Sequence, residues 1–168
     1  SVWKLNNIVF EDRVPQILNQ SLSIYELCIG IANKNSIKLK MVADFSKTFE
    51  DMTTLMMDKV SDFKNTQMLK QISNIFLGSI AGKFTDVDEV INHLTKTKSV
   101  AKKLLSFKHL IGRLKVLQTV VKKEGNRCKN SIKELLNFCV GNLENSNQDV
   151  RAESQRLIVE VAKIIGED

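Results

Sequence analysis

Two histidines, three cysteines and an uneven distribution of lysines are the side chains in this chain best placed to do chemistry. His93 and His109 fall on different predicted helices with no supporting carboxylate motif, and each reads as a surface or boundary residue. Cys28, Cys128 and Cys139 form no CxxC pair, and no histidine stands near Cys128 or Cys139 to complete a metal site. Cys139 lies within an apolar stripe and reads as a small core hydrophobe. Cys128 sits beside Arg127 and Lys129, positive neighbours that would favour a thiolate. There is no phosphate-cradling glycine loop, no GxSxG and no HExxH. The expectation is a chain that is not an enzyme and needs neither cofactor nor metal.

The lysines act as a group. Between Lys96 and Lys129 stand eleven Lys or Arg against one acid, Glu124, a local charge of +10, whereas the whole chain carries +6. The remainder is therefore mildly acidic. So basic a segment favours an acidic partner, and nucleic acid, an anionic membrane and an acidic protein surface all qualify. A solvated lysine-rich face produces the same count. Nucleic acid is the weaker fit. Phe107 is the one aromatic in the segment, it falls on an apolar stripe, and no helix-turn-helix or RNA-recognition signature is present. No apolar run approaches the roughly 18 residues of a membrane span. The sparse, odd cysteine count fits a reducing compartment, so the cytoplasm is expected.

A second set of polar residues recurs at intervals. Lys34-Asn35-Ser36 is echoed by Lys64-Asn65-Thr66, with Leu39-Lys40 echoed by Leu69-Lys70 and Val42 by Ile72, thirty residues on. Lys98-Ser99 and then Asn147 follow at wider intervals. If these corners share one edge, lysine ammonium groups there can pair with carboxylates and asparagine amides can bond a partner's backbone. Each such rim contact is worth about 0.2–1 kcal/mol, so several must act together or with a buried anchor such as Trp3. Asn, Ser and Lys are also what turns ordinarily contain.

Helices must position these corners. The 168 residues hold one proline and seven glycines, too few turn-formers for a β sandwich, and helix formers recur throughout. The clearest helix spans 131–144, with Ile132, Leu135, Leu136, Cys139, Val140 and Leu143 on one face and Ser131 and Glu134 at capping-box spacing. The turn Asn145-Ser146-Asn147-Gln148 leads to a second helix with Val150, Leu157, Ile158, Val161, Ile164 and Ile165 on one side, stopping near Gly166. Upstream, Val87, Val90, Ile91 and Leu94 predict a short helix, and Val100 to Val121 a long one from about 99 to 123, placing Leu104, Phe107, Ile111, Leu114 and Leu117 on its apolar side. Met52, Leu55, Met56 and Val60 turn at 63–66 into Leu69, Ile72, Ile75, Phe76 and Ile80. Before them, Ile24, Leu27, Cys28 and Ile31 lead through 34–36 to a further helix with Leu39, Val42 and Phe45. Val14-Pro15 starts, kinks or ends a helix. The pattern predicts an all-α fold of antiparallel hairpins stacked as an α-solenoid, about four repeats behind an atypical N-terminal segment. A non-repetitive helical bundle explains the same stripes.

Asn147-Gln148-Asp149-Val150-Arg151, then Ser154, Leu157 and Ile158, resembles the opening of a HEAT second helix, in which an Asp-Val-Arg group precedes a small residue and an aliphatic pair. In physical terms Asp149 suits the helix's positive first turn, Arg151 can reach back across the corner, and the small Ser154 lets helices approach. Leu110 with Arg113-Leu114, Gly125, Phe138 to Leu143-Glu144 and Val150-Arg151 together resemble, over about seventy residues, the last two repeats of a TOG domain, a HEAT-repeat tubulin-binding family. The resemblance implies a single domain over 1–168, open to being incomplete at its N-terminus. It further implies tubulin or microtubules as partner, contacted through intra-hairpin turns. Those positions here are Lys34, Asn35, Ser36, Lys64, Asn65, Thr66, Lys98, Ser99, Asn147 and Arg151, with Trp3 matching the tryptophan usual in the first-repeat turn. The setting implied is the cytoskeleton at microtubule ends, centrioles or cilia. Another acidic protein, or nucleic acid, is the alternative partner.

Overall fold

A computed structural model describes residues 15–35, 43–97 and 104–166. Among them every regular element is helical. In order these are α1 (Pro15–Lys34), α2 (Ala43–Lys59), α3 (Thr66–Ala81), α4 (Val87–Thr95), α5 (Phe107–Glu124), a 3-10 segment (Gly125–Ser131), α6 (Ile132–Leu143) and α7 (Gln148–Ile165). The all-α expectation is met. No described helix is long and apolar enough to cross a membrane. The chain divides into two compact units, one of Ser1–Lys59 with Lys64–Asp86, the other of Val60–Phe63 with Val87–Asp168.

In the first unit α1 begins at Pro15, whose missing N–H costs nothing in a first helical turn. Its principal packing is against α3. Polar side chains mark the seam: Gln71 Nε2 donates to the Asn19 carbonyl (3.3 Å) and Ser23 Oγ (2.7 Å), Asn74 Nδ2 to Glu26 Oε1 (2.8 Å), and Asn33 Nδ2 to the Gly78 carbonyl (3.0 Å). Rising numbers on α1 meet rising numbers on α3, so the two helices run in the same direction. The α1 face that packs carries Leu22, Tyr25, Ile29 and Ala32. The expected core face does not: Ile24, Leu27 (63% exposed) and Ile31 point to solvent and Cys28 is half-buried. α1 is apolar on two sides, and periodicity alone does not say which side meets a neighbour. The expected break between a Phe45 helix and a Met52 helix is also absent, because both positions lie in the single helix α2. No proline or glycine interrupts 43–59, and nothing there forces a turn.

In the second unit α6 and α7 form the expected hairpin, and α5 packs along α7. Val150, Leu157, Val161 and Ile164 are buried with Leu135, Phe138 and Cys139, while Val140 and Ile165 face outward. Ser154, fully buried, donates to the Val150 carbonyl at 2.8 Å and leaves room for the neighbouring helix. α5 starts at Phe107, later than the expected 99. Leu104 stands 82% exposed ahead of it and Phe107 is exposed at its start, so neither joins the buried stripe of Ile111, Leu114, Leu117 and Val121. Gly125, at φ +52°, ends α5 in a backbone conformation that favours glycine. The capping box expected at Ser131 and Glu134 is not made. The 3-10 segment runs directly into α6, and both side chains turn to α4 instead: Ser131 Oγ donates to Asp88 and Thr95 Oγ1 to Glu134. Asp88 precedes Thr95 as Ser131 precedes Glu134, so α4 and α6 run the same way.

One cation organises this unit. Arg113 is buried on α5, and its Nη1 donates to the Lys96 carbonyl at 2.6 Å and the His93 carbonyl at 3.4 Å, closing the C-terminus of α4. A positive charge there meets the negative end of the helix dipole. Burial lowers the Arg113 pKa to about 10, which still leaves it charged at neutral pH. Across the α5–α7 seam, Gln118 Nε2 donates to both Oε2 (2.8 Å) and the carbonyl (3.1 Å) of buried Glu153, whose Oε1 takes Arg156 Nη1 at 2.6 Å.

Candidate functional site

The expected contact residues are helix-terminal, and their local bonding follows from that. Lys34 and Asn35 end α1, both exposed, with Asn35 Nδ2 donating to the Ile31 carbonyl at 2.8 Å. Asn65 caps α3, its Oδ1 accepting from the Met68 N–H at 3.1 Å, with Lys64 and Thr66 exposed on either side. Asn147 caps α7, its Oδ1 accepting from the N–H groups of Asp149 (2.9 Å) and Val150 (3.2 Å). Arg151 does reach back: its Nη1 donates to the Asn145 carbonyl at 2.7 Å and the Ser146 carbonyl at 3.1 Å. Trp3, Ser36, Lys98 and Ser99 lie outside the described residues.

Within the first unit the structure separates two of these corners. Because α1 and α3 are parallel, Lys34 and Asn35 stand beside the last turns of α3, next to Gly78, whereas Lys64-Asn65-Thr66 opens that helix. From Thr66 to Gly78 is about 18 Å at 1.5 Å per residue. The Lys-Asn-Ser/Thr echo therefore joins a helix end to a helix start. Among the described corners, those at Asn65 and Asn147 share a local design, an asparagine N-cap ahead of a helix whose first N–H groups it satisfies. In both, the side-chain oxygen is committed to the cap.

The reactive side chains take structural places. Cys128 is buried and its pKa is pushed up to about 11, by burial first and then by the carboxylates of Glu124 and Asp88, with Arg127 opposing them only in part. The thiolate expected from its basic neighbours is thus disfavoured. Arg127 is drawn to Glu124 at 2.6 Å. Cys139 is a core hydrophobe, as expected, and burial raises its pKa to about 11 as well. His109 Nδ1 meets Ser106 Oγ at 2.9 Å, one turn away, and His93 is half-buried at the end of α4. Among the described residues no group of His, Cys, Asp and Glu could hold a metal ion.

Sequence reasoning passed over one concavity. An open groove of about 500 Å³ in the second unit is lined by Thr95, Thr97, Asn130, Glu134, Asn137 and Phe138, with Lys133 at its side. The readable signal was the polar set Asn130, Lys133 and Asn137, which repeats at helical spacing opposite the buried stripe. The groove offers amides, hydroxyls and one carboxylate already engaged by Thr95, a set suited to hydrogen bonding.

The chain matches no family model, no curated protein and no solved structure.

Proposed function

We propose that this chain is a non-catalytic, HEAT-like helical module that binds an acidic protein, with tubulin as the leading candidate. The supporting observation is the pairing of alternate helices: α1 with α3 in one unit, and α4 with α6 in the other, run parallel. Stacked hairpins have this alternation within each unit. Each unit offers its own corner for contact, the one leading into α3 in the first, with Lys64 and Thr66 exposed, and the Asn147–Arg151 turn leading into α7 in the second. Asn65 and Asn147 hold those corners rigid through their oxygens. Lys34 and Asn35, at the opposite end of the α1–α3 pair, stand apart from the corner leading into α3.

Gel filtration with soluble tubulin at moderate salt tests the proposal. Co-elution is expected, and Lys64→Glu should abolish it while Lys34→Glu leaves it intact. Separate elution of the folded parent chain, its helicity verified by circular dichroism, would overturn the tubulin assignment.

A further inference from the structure

The basic segment outlasts these assignments, because only part of it is used in packing. Arg113 is buried at the end of α4, and Arg127 is tied to Glu124, the segment's one acid. What remains on α5 is orderly. Nine α5 residues are buried, and the exposed ones are Phe107, Lys108, Thr119, Lys122 and Lys123, with Lys115 half-buried in line with the lysines. None of these four lysines is ion-paired with a described residue. At 100° per residue, Lys108, Lys115 and Lys122 fall within about 40° of one another, on a line about 21 Å long with about 10.5 Å between successive positions. Lys115 is held in place, its Nζ lying 5.7 Å from the centroid of the Phe63 ring.

We infer that this face of α5 is a docking surface for an extended acidic polypeptide segment, aligned with the helix and placing a carboxylate opposite each lysine at every third residue. An extended chain in the polyproline II form has three residues per turn and a rise of about 3.1 Å, so every third side chain shares a face at about 9.3 Å intervals. Long lysine and glutamate side chains absorb the remaining ångström. Charged, self-repelling segments favour extended forms, so little ordering opposes the match. Nucleic acid fits less well. With half its residues buried, α5 cannot enter a major groove, and of the aromatics near the lysine face Phe63 already lies under Lys115 and Phe107 stands at the end of the helix. An anionic membrane fits less well again, since the exposed apolar side chains, Leu104 and Phe107, stand ahead of the first lysine and none is exposed between Lys108 and Lys123 to insert along the face. The lysines of this face are different residues from those proposed for tubulin and are tested with a different partner, so the two readings can fail separately.

The experiment is fluorescence anisotropy of a labelled deca-glutamate peptide with the full chain at about 50 mM salt, where surface charge is weakly screened. Binding is expected, falling steeply as salt is raised. The K108E/K115E/K122E variant should bind at least about tenfold more weakly, the sum of three reversed contacts, and the neutral K108Q/K115Q/K122Q variant should fall between it and the parent. K34E, at a lysine assigned to neither surface, should stay within about twofold of the parent. Circular dichroism verifies that each variant is folded. The inference is overturned if the parent does not bind the peptide, or if the K108E/K115E/K122E variant binds as the parent does. Tighter binding of a duplex DNA or of phosphatidylserine vesicles, lost through the same lysines, would overturn it equally.

Discussion

Gly112 lies against the backbone of Val60 so closely that a β-carbon on it would sit 1.8 Å from the Val60 carbonyl oxygen and 2.7 Å from the carbonyl carbon. Both residues belong to the second unit, and the contact brings α5 onto the short segment that carries Phe63. Backbone atoms cannot rotate aside. Gly112→Ala should therefore destabilise the unit by about 1–3 kcal/mol, even though alanine favours a helix by about 1 kcal/mol over glycine. A urea titration checks this. An unchanged or raised midpoint would show that the helix and segment are not in contact.

Neither Gly112 nor Val60 announced this role in the sequence, because a close approach leaves no periodic trace. Legible features were those that repeat or punctuate: the apolar stripes of α6 and α7, the Asn147 corner, the Arg151 reach and the stop at Gly166. The N-terminal half misled for a definite reason. α1 has apolar residues on two faces, and Leu27 and Ile31 were as good a core on paper as Tyr25 and Ile29. Fusing two expected helices into α2 then removed one reversal of the chain. One reversal fewer carries Lys34 to the far end of α3 from Lys64, so a miscounted helix rearranged the candidate surface without changing a residue.

Arg113 makes the second prediction. Its guanidinium satisfies two carbonyls at the end of α4 from a buried position on α5. Arg113→Met fills similar space but strands those carbonyls, and should cost about 1–3 kcal/mol. Arg113→Lys, which keeps the charge but not the fork, should lose less. Hydrogen exchange localises the effect: amides in the last turn of α4 should lose protection in the Met variant. Uniform protection across both variants would mean the cap is dispensable.

The asparagine corners permit a test that separates folding from recognition. Asn65→Ala and Asn147→Ala each remove an N-cap and should lower stability by about 1 kcal/mol, read as a fall in melting temperature. Asp at either position keeps the accepting oxygen and adds a charge that the helix N-terminus favours, so stability should be held or raised. Aspartate lacks the amide donor and carries negative charge. Tubulin co-elution should therefore weaken in Asn147→Asp despite an intact fold. Retained co-elution would remove Asn147 from the contact surface.

The last prediction concerns pH. Cys128 and Cys139 are both buried with thiols raised from 9.0 to about 11, chiefly by desolvation. A group whose folded pKa lies above its unfolded value binds its proton more tightly when folded. The stability it contributes is complete below about pH 9 and is lost as pH climbs through about 11. Two pKa units correspond to on the order of 2–3 kcal/mol for each thiol. Urea midpoints measured from pH 8 to pH 11 should therefore decline, and Cys128→Ala with Cys139→Ala should start lower but decline less. Reactivity follows the same order at pH 8. Cys28, half-buried, should react first with a thiol reagent, while Cys128 and Cys139 stay protonated and shielded until guanidinium unfolds the chain. Three thiols reacting together in the native chain would contradict the burial on which both expectations rest.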